Sequence, residues 1–459
     1  MILKAKYVFP VSSDPLSDSA VLVRDDKIVE VDNSSDLIKH YPDEEVIDFG
    51  VAAITPGFIN LHTRIERTYL RGCVADEPYA SWFLHMISLV NKLDAGMLYS
   101  ASLVGCLEAL QSGVTTIDDI ALSFSAARAA NKAGIRAVIH RQTQASEKDR
   151  VSWALNSAER DYFDWQEQVD PELVKIGLTP AALFEVHPQL ITEITKLANK
   201  LNVPLTFRMA GSLEEYNFIK RGTSIFSVHA GNSQSRGYIE VPPWLPFGVS
   251  PVEYAKNWGA FEHDNVNIIH GIYVDDSDIK ILKENGVSLV SCPASEAQLG
   301  MGACPFPKYI RNEIPLGLGT DSPAATEASD MLIEMRTAML LNRAIDVKNY
   351  VTSTDVLFWG TLGGARVLGM DDKIGSLEPG KLADIAVVDL SHTSQTLQLN
   401  PASALINSCT SANVVFTMIG GKIMYDHGTF NTGIDLEELQ AYNRKARKRV
   451  EEMTAEMFN

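Results

Sequence analysis

The stretch Thr55-Pro56-Gly57-Phe58-Ile59-Asn60-Leu61-His62-Thr63-Arg64 decides the fold of this chain. Its apolar centre, residues 58–62, has the length and composition of a buried β-strand. A strand of this kind followed by helical sequence is typical of a parallel barrel, in which functional side chains follow the strand ends. His62 and Arg64 therefore mark the first place to look for a site. Imidazole can give a lone pair to a cation, whereas guanidinium has none to give.

Seven further apolar runs follow this strand, and helical patterns separate most of them. Gly113, Gly134 and Gly286 each close a helical pattern, as glycines do at helix C-termini. Eight strand–helix units predict an α/β fold, a (β/α)8 TIM barrel. The predicted strands are 58–62, 114–118, 135–140, 174–179, 203–209, 266–271, 287–292 and 314–321.

The composition argues against several classes of partner. The chain has 459 residues, 46% of them hydrophobic, and a net charge of −18, which disfavours nucleic acid and anionic membranes. No apolar run approaches the roughly 20 residues that span a bilayer, and the first residues lack a signal-peptide core. The five cysteines show no paired spacing. We expect a cytoplasmic protein with reduced thiols and with no nucleic-acid or membrane partner.

Two phrases late in the chain carry a resemblance to a known family. They are Thr-Leu-Gly-Gly-Ala-Arg-Val-Leu-Gly at 361–369 and Ile-Gly-Ser-Leu-Glu-Pro-Gly-Lys-Leu-Ala-Asp at 374–384. With residues 55–64 they make the chain resemble the amidohydrolase superfamily over nearly its whole length. Residues 67–72 and Trp82 are similar to the methylthioadenosine/adenosylhomocysteine deaminases and the chlorohydrolases.

Residues 212–215 and 248–254 are similar to the aminofutalosine deaminases. The resemblance implies a discontinuous β-sandwich built from both chain ends around the barrel. We therefore expect four parts. They are the first part of the sandwich at 1–54, the barrel at 55–369, the second part of the sandwich at 370–430 and a C-terminal helix at 431–459.

The resemblance also implies a ligand set for one metal ion, usually zinc. Its members are the two histidines of a His-x-His motif, a histidine after the fifth strand and an aspartate after the eighth. Those positions hold His62, Arg64, Arg208 and Asp321 in this chain. Catalytic zinc takes three protein ligands plus water, and guanidiniums repel a dication. The sequence therefore predicts no bound metal and no other cofactor.

Other functional positions of the family are kept or altered. His270 keeps the place of a histidine that positions the water, whereas Gly211 replaces the glutamate that shuttles protons and Ser291 replaces a histidine. We predict that the catalytic residues are His270, Asp321, His62 and Glu66. We predict that the substrate-binding residues are Arg64, Arg208, Arg67 and Ser291.

Each of these roles has a structural alternative. Arg64 and Arg208 suit bidentate binding of a carboxylate or phosphate, or else they form internal salt bridges with Asp321 or Glu66. His270 suits acid–base work or a packed structural position. Glu66 is a remaining carboxylate candidate, or it pairs with a neighbouring arginine of its own segment.

The leading functional expectation is a metal-independent enzyme of this superfamily. It would act on a small anionic, carboxylate-bearing metabolite by acid–base chemistry such as elimination or dehydration, with Arg64 and Arg208 as an anion clamp. One alternative is a deaminase-like hydrolase of non-peptide C–N bonds with an altered metal site. The other is a non-catalytic ligand-binding pseudoenzyme. We also expect a homodimer, and a lid or pocket wall at residues 213–250.

Overall fold

The computed structural model describes residues 1–226, 247–397 and 399–458. Five strands precede the barrel, and the last of them, β5, is buried along its whole length. The five strands are β1 (Ile2–Val8), β2 (Leu16–Arg24), β3 (Lys27–Asn33), β4 (Val46–Asp48) and β5 (Ala52–Pro56).

Eight parallel strands, β6 to β13, form the barrel in chain order. They are almost wholly buried, as expected for strands covered by helices outside and packed side chains inside. The circle closes where Thr63 bridges Asp321 and the Asp321 N–H donates to the His62 carbonyl at 2.9 Å. Closure therefore sets His62 beside Asp321. The strands are β6 (Phe58–Thr63), β7 (Val114–Ala121), β8 (Arg136–Thr143), β9 (Val174–Pro180), β10 (Leu205–Met209), β11 (Val266–His270), β12 (Ser288–Ser291) and β13 (Leu316–Leu318).

Four strands follow the barrel and join the first five in one nine-stranded sheet. Its order is β17-β16-β15-β14-β5-β1-β2-β3, with β4 paired to β1, so that the antiparallel pair of β5 and β14 joins the two chain ends. The predicted TIM barrel with β structure from both chain ends is confirmed. The predicted boundaries after residues 54, 369 and 430 stay a prediction. The four strands are β14 (Ile385–Asp389), β15 (Val414–Ile419), β16 (Lys422–Asp426) and β17 (Thr429–Phe430).

Helices surround the barrel and follow its strands. The helix after β7 ends at Gly134, whose φ of +75° gives the left-handed cap that glycine adopts without strain. Within the described residues, no helix has both the length and the apolar character needed to span a membrane. The α-helices are Ser34–His40, Tyr79–Val90, Ala95–Gln111, Ser125–Ala133, Val151–Gln166, Pro188–Leu201, Leu213–Arg221, Pro251–Asn257, Asp276–Glu284, Pro293–Gln298, Phe306–Arg311, Pro323–Thr326, Met331–Ile345, Ser353–Trp359, Leu362–Val367, Thr393–Thr396, Pro401–Ser408 and Leu436–Phe458, and the 3-10 helices are Ile65–Leu70, Lys148–Arg150, Leu183–Glu185 and Ser411–Asn413.

A buried ion pair joins the nine-stranded sheet to the N-terminal end of a barrel strand. Arg136, at the start of β8, donates through Nε and Nη2 to the two carboxylate oxygens of Asp384, at 3.0 and 3.2 Å. A bidentate pair of this kind holds two elements in a fixed orientation. The barrel mouth, at the other ends of the strands, is therefore supported by a rigid base.

Candidate active site at the barrel mouth

Three strand ends at the barrel mouth adopt left-handed backbone. Ala210 follows β10, His270 ends β11 and Asp321 follows β13, and their φ angles are +52°, +79° and +57°. Such conformations cost non-glycine residues about 1–3 kcal/mol each and persist where the surroundings over-determine them. Two predicted catalytic residues, His270 and Asp321, therefore lie on strained backbone at the end of the barrel that carries active sites.

His62 and Asp321 form a buried pair at the closure of the barrel. His62 Nε2 lies 3.4 Å from Asp321 Oδ1, and the His62 side chain is wholly buried. Neither ring nitrogen of His62 has a hydrogen-bond partner among the described residues. Burial lowers the pKa of His62 to about 4. Burial acts to raise the pKa of Asp321, but contact with His62 and the charge of Arg64 hold it below its usual value. A neutral imidazole thus faces a carboxylate anion at neutral pH.

His270 joins this pair and makes a group of three donors. One ring nitrogen or carboxylate oxygen from each of His62, His270 and Asp321 lies within 4.8 Å of the others. His270 Nδ1 is 3.2 Å from Glu296 Oε1, and both side chains are buried. The family resemblance left two predicted metal donors, His62 and Asp321, because it gave His270 the role of positioning the attacking water. The structure adds a third donor and brings all three predicted residues together.

Arg64 lies just past β6 and points into the protein. It is 2% exposed, and both Nη1 and Nη2 donate to Gln142 Oε1 at 3.1 Å. Its Nε has no partner among the described residues, which also contain no ion pair between Arg64 and Asp321 or Glu66. Burial and the charges of neighbouring arginines lower the pKa of Arg64, although a guanidinium keeps its charge at neutral pH. Its polar contact is therefore a neutral amide.

Arg208 and Arg67 complete a cluster of three guanidiniums with Arg64, which we call the arginine cluster. Arg208 Nη2 lies 3.5 Å from Glu185 Oε2, a long contact, and its Nε has no partner among the described residues. Burial, followed by repulsion from Arg208, lowers the pKa of Arg67 to about 10. The described part of the chain offers Arg67 no ion pair. The positive charges repel one another, and the carboxylates that act against this repulsion are those of Asp321, Asp119, Glu185 and Glu66.

Glu66 lies in the 3-10 helix after β6, and its carboxylate is fully engaged. It accepts hydrogen bonds from the Leu122 N–H (2.7 Å), the Ser123 N–H (3.1 Å) and Ser123 Oγ (2.6 Å). Burial raises its pKa to about 7. The alternative prediction was an ion pair between Glu66 and a neighbouring arginine. The described residues contain no such pair, and Arg71 of the same segment pairs with Glu108 at 2.6 Å. A catalytic role for Glu66 stays a prediction.

Ser291 and Gly211 lie around the His270 ring but make different contacts. Ser291 Oγ donates to Glu296 Oε2 at 3.0 Å, so its hydroxyl faces a buried carboxylate. A Cβ added to Gly211 would lie only 3.1 Å from His270 Cδ2. The His270 ring therefore occupies the space in which a side chain at position 211, such as the glutamate expected from the resemblance, would begin.

Sequence reasoning missed two buried glutamates, Glu296 and Glu215. Glu215 Oε2 accepts from the Gly211 N–H at 2.9 Å, while its Oε1 is buried with no partner among the described residues. Burial raises the pKa of Glu215 to about 7. The sequence did contain a signal for Glu215. Ser212 is the N-cap of the helix Leu213–Arg221 and accepts from the Glu215 N–H, and this helix start places Glu215 one turn after Gly211.

The predicted lid at 213–250 is only partly described. It contains the helix Leu213–Arg221, while residues 227–246, including His229, lie outside the described residues. The lid stays a prediction.

Comparison with known proteins identifies the family. Residues 53–424 match the amidohydrolase family, and the chain belongs to it. It is 29% identical over 408 residues to a 5-methylthioadenosine/S-adenosylhomocysteine deaminase of Thermoanaerobacter pseudethanolicus, covering 88% of each chain. It is 28% identical to a 5'-deoxyadenosine deaminase of Methanobrevibacter smithii, over 95% of this chain and 93% of the other. An adenosine deaminase from Xanthomonas campestris solved with bound zinc superposes with a TM-score of 0.82, at 26% identity and 98% coverage of both chains.

These comparisons confirm the superfamily and correct the leading functional prediction. A metal-independent lyase or dehydratase acting on a carboxylate-bearing metabolite is wrong, because the relatives are deaminases and one of them holds zinc. The prediction failed because it inferred from the two arginines, Arg64 and Arg208, that the site could not hold a metal ion. It overlooked a third donor, His270, within reach of His62 and Asp321. The chain is an enzyme of the C–N hydrolase type that acts on a small molecule.

Proposed function

We propose that this chain is a deaminase that hydrolyses the C–N bond of a small, nucleoside-like heteroaromatic amine at an altered metal site. The observation that carries the proposal is the buried group of His62, His270 and Asp321 at the barrel mouth. The relatives, whose names describe deaminases of adenosine derivatives, support the reaction type.

The donor group fits an ion of the zinc class. The 3.4 Å between His62 Nε2 and Asp321 Oδ1 is close to the ~3.3 Å expected between two ligands of a tetrahedral zinc with bonds of about 2.0–2.1 Å. Nε2 of His62 is a buried, unpartnered atom on the side of Asp321 that an ion would satisfy. His62, His270 and Asp321 would hold the ion, which when bound lowers the pKa of a water so that it can attack near neutral pH.

The arginine cluster sets the character of this site. Its charges oppose a dication, so we expect weaker binding than at a site with four protein ligands. The same side chains offer donors to a substrate. Arg67 has no ion-pair partner in the described part of the chain, and we propose that it contacts an acceptor group of the substrate, with Arg208 beside it.

Deamination adds water to a carbon and releases ammonia, so that R–NH2 and H2O give R–OH and NH3. A side chain must pass a proton to the departing nitrogen. Glu215 suits this role, because one of its oxygens is free of partners among the described residues and its pKa of about 7 is near that of an efficient acid–base group. Both oxygens of Glu66 are already occupied.

The proposal is tested by incubating the purified chain, loaded with Zn²⁺ or Co²⁺, with a panel of heteroaromatic amines. The panel contains adenosine derivatives altered at the 5' position, free bases and triazines, each in a neutral and an acid-bearing form. Ammonia release and the replacement of NH2 by OH in the mass spectrum are expected for one subset. Preference for acid-bearing forms would assign the arginine cluster to an anionic group.

Two variants serve as controls for this assay. His62→Ala removes a donor and should abolish ammonia release, while Arg71→Ala alters an arginine paired with Glu108 outside the cluster and should retain it. Failure of the metal-loaded wild type to release ammonia from any member of the panel would contradict the proposal. The homodimer and the cytoplasmic location stay predictions.

A further inference from the structure

Glu296 lies directly behind His270 and is held in place by its own neighbours. It is wholly buried in the helix Pro293–Gln298, which begins immediately after β12. Its Oε1 accepts from the Cys292 N–H at 2.8 Å, and its Oε2 accepts from Ser291 Oγ at 3.0 Å. These two donors fix the carboxylate before it meets the imidazole.

The contact of this carboxylate with His270 determines how the imidazole is presented. His270 Nδ1 faces Glu296 Oε1 at 3.2 Å, and a ring nitrogen that faces a carboxylate carries the hydrogen. The other nitrogen, Nε2, then keeps a lone pair. Gly211 is packed against the opposite side of the ring, where even a Cβ would be crowded at 3.1 Å. The ring therefore has little freedom to turn away.

Resting on the proposed function, we propose that Glu296 is the positioning residue that holds His270 as the third donor of the metal site. A carboxylate behind a ligating histidine fixes its orientation and increases its basicity. Such help matters at this site, because the arginine cluster opposes the ion and the group around Asp321 offers no more than three donors among the described residues. The negative charge of Glu296 offsets part of that repulsion from the far side of the imidazole.

The test measures metal binding rather than turnover. Metal-free full-length chain is titrated with Co²⁺ by calorimetry and by visible absorption, which reports the coordination of the ion. Wild type should bind one ion per chain. Glu296→Gln keeps an acceptor for the ring N–H but loses the charge, and we expect affinity about 10–100-fold lower with a similar spectrum. Glu296→Ala frees the ring, so we expect a larger loss and a changed spectrum.

The matched control is Glu334→Gln. Glu334, in the helix Met331–Ile345, is 1% exposed and accepts from the N–H of Ala294, a residue of the Glu296 helix, at 2.9 Å. Among the described residues it makes no hydrogen bond or ion pair with His270. The control should bind Co²⁺ with wild-type affinity. Thermal denaturation of each variant shows whether it is folded, and His270→Ala gives the loss expected when the donor itself is removed.

The outcomes separate this inference from the proposed function. Wild-type Co²⁺ affinity in both Glu296→Gln and Glu296→Ala, or no ion bound by wild type, overturns the positioning role. If the wild type deaminates a substrate but binds no ion, the proposed reaction is supported and the positioning role of Glu296 is overturned. Co²⁺ binding that depends on Glu296, His270 and His62 in a chain that deaminates nothing supports the inference and removes the proposed reaction. Binding that depends on Glu296 but survives His62→Ala would make Glu296 a donor in the group of His270, Cys292 and Glu296, and would overturn the positioning role.

Discussion

Two histidine–aspartate pairs lie inside the same barrel, and their environments differ. His140 on β8 faces Asp118 on β7, with Nε2 2.9 Å from Oδ1, and its Nδ1 faces the Leu178 carbonyl at 3.2 Å. His62 faces Asp321 at 3.4 Å. Among the described residues neither ring nitrogen of His62 has a hydrogen-bond partner, whereas at His140 only Nε2 lacks one. Both histidines are wholly buried.

The surroundings of each pair shift the pKa values of the two imidazoles in opposite directions. Burial acts to lower the pKa of His140, but the Asp118 charge and the Leu178 carbonyl raise it above the usual value. Burial prevails at His62 and lowers its pKa to about 4. The pair of His140 and Asp118 lies in the middle of its two strands and is supported by the hydrogen bond of His140 Nδ1 with the Leu178 carbonyl, whereas His62 at the mouth has no such second contact among the described residues. A histidine beside an aspartate therefore indicates a site only when its other contacts are missing.

The largest effect that would test this contrast is expected at Asp321. Asp321→Asn removes an anionic donor of the mouth pair, so ammonia release should fall at least ~1,000-fold together with metal content. Activity assays and elemental analysis of the same preparation check this result. If Asp321→Asn keeps its metal and its full activity, the assignment of the His62–Asp321 pair as the metal site is contradicted.

The same change in the other pair should affect stability instead. Asp118→Asn removes the carboxylate that stabilises the protonated form of His140, and breaking such a buried pair costs about 3–5 kcal/mol of unfolding free energy. Denaturant titration measures the loss, and metal content per folded chain should stay at the wild-type value. A loss of metal without a loss of stability would reverse the assignment of the pairs.

The two histidines should give pH dependences of opposite sign in the metal-free chain. The folded pKa of His62, about 4, lies below its unfolded value of 6.5, so the unfolded chain takes up the proton first. Stability then falls as pH drops from 6.5 to 4, by on the order of 3 kcal/mol. The folded pKa of His140 is raised, so its contribution is present below 6.5 and is lost as pH rises through the folded value.

Denaturant titrations across this pH range check the signs in His62→Asn and His140→Asn. The first variant should lose the acid-side decline that wild type shows, and the second should lose the alkaline-side decline. Identical pH profiles in the two variants would contradict pKa shifts of opposite sign at His62 and His140.

The smallest predicted effect concerns the arginine cluster. Arg64→His with Arg208→His replaces two guanidiniums by two imidazoles at the mouth, and Zn²⁺ affinity should rise about 10–100-fold as repulsion is removed and donors are added. Calorimetry against wild type measures the gain, with Arg71→His as a control outside the cluster. Unchanged affinity would mean that the cluster does not oppose the ion.

The barrel could be predicted because parallel strands buried on both faces leave continuous apolar runs in the sequence. Each of the eight predicted runs overlaps an observed strand, although β13 is limited to Leu316–Leu318. The chain ends could be assigned to the same sheet only through the family resemblance, since no local pattern shows that β5 pairs with β14.

The candidate site could be predicted in its members but not in its contacts. His62, His270 and Asp321 can all be identified from the sequence, because the family resemblance marks each of them at the end of a predicted strand. Their grouping depends on closure of the barrel, which joins residues more than 250 positions apart. Glu296 could not be found from the sequence, because it reaches His270 only after β12 and its helix pack beside β11.

The most direct measurement is an anomalous difference map, recorded at the zinc absorption edge from crystals of the full chain grown with Zn²⁺. We predict one peak bounded by His62 Nε2, Asp321 Oδ1 and His270. A map without a peak there, or with zinc held only at the surface, would contradict the claim that the barrel mouth remains a metal site despite its arginines.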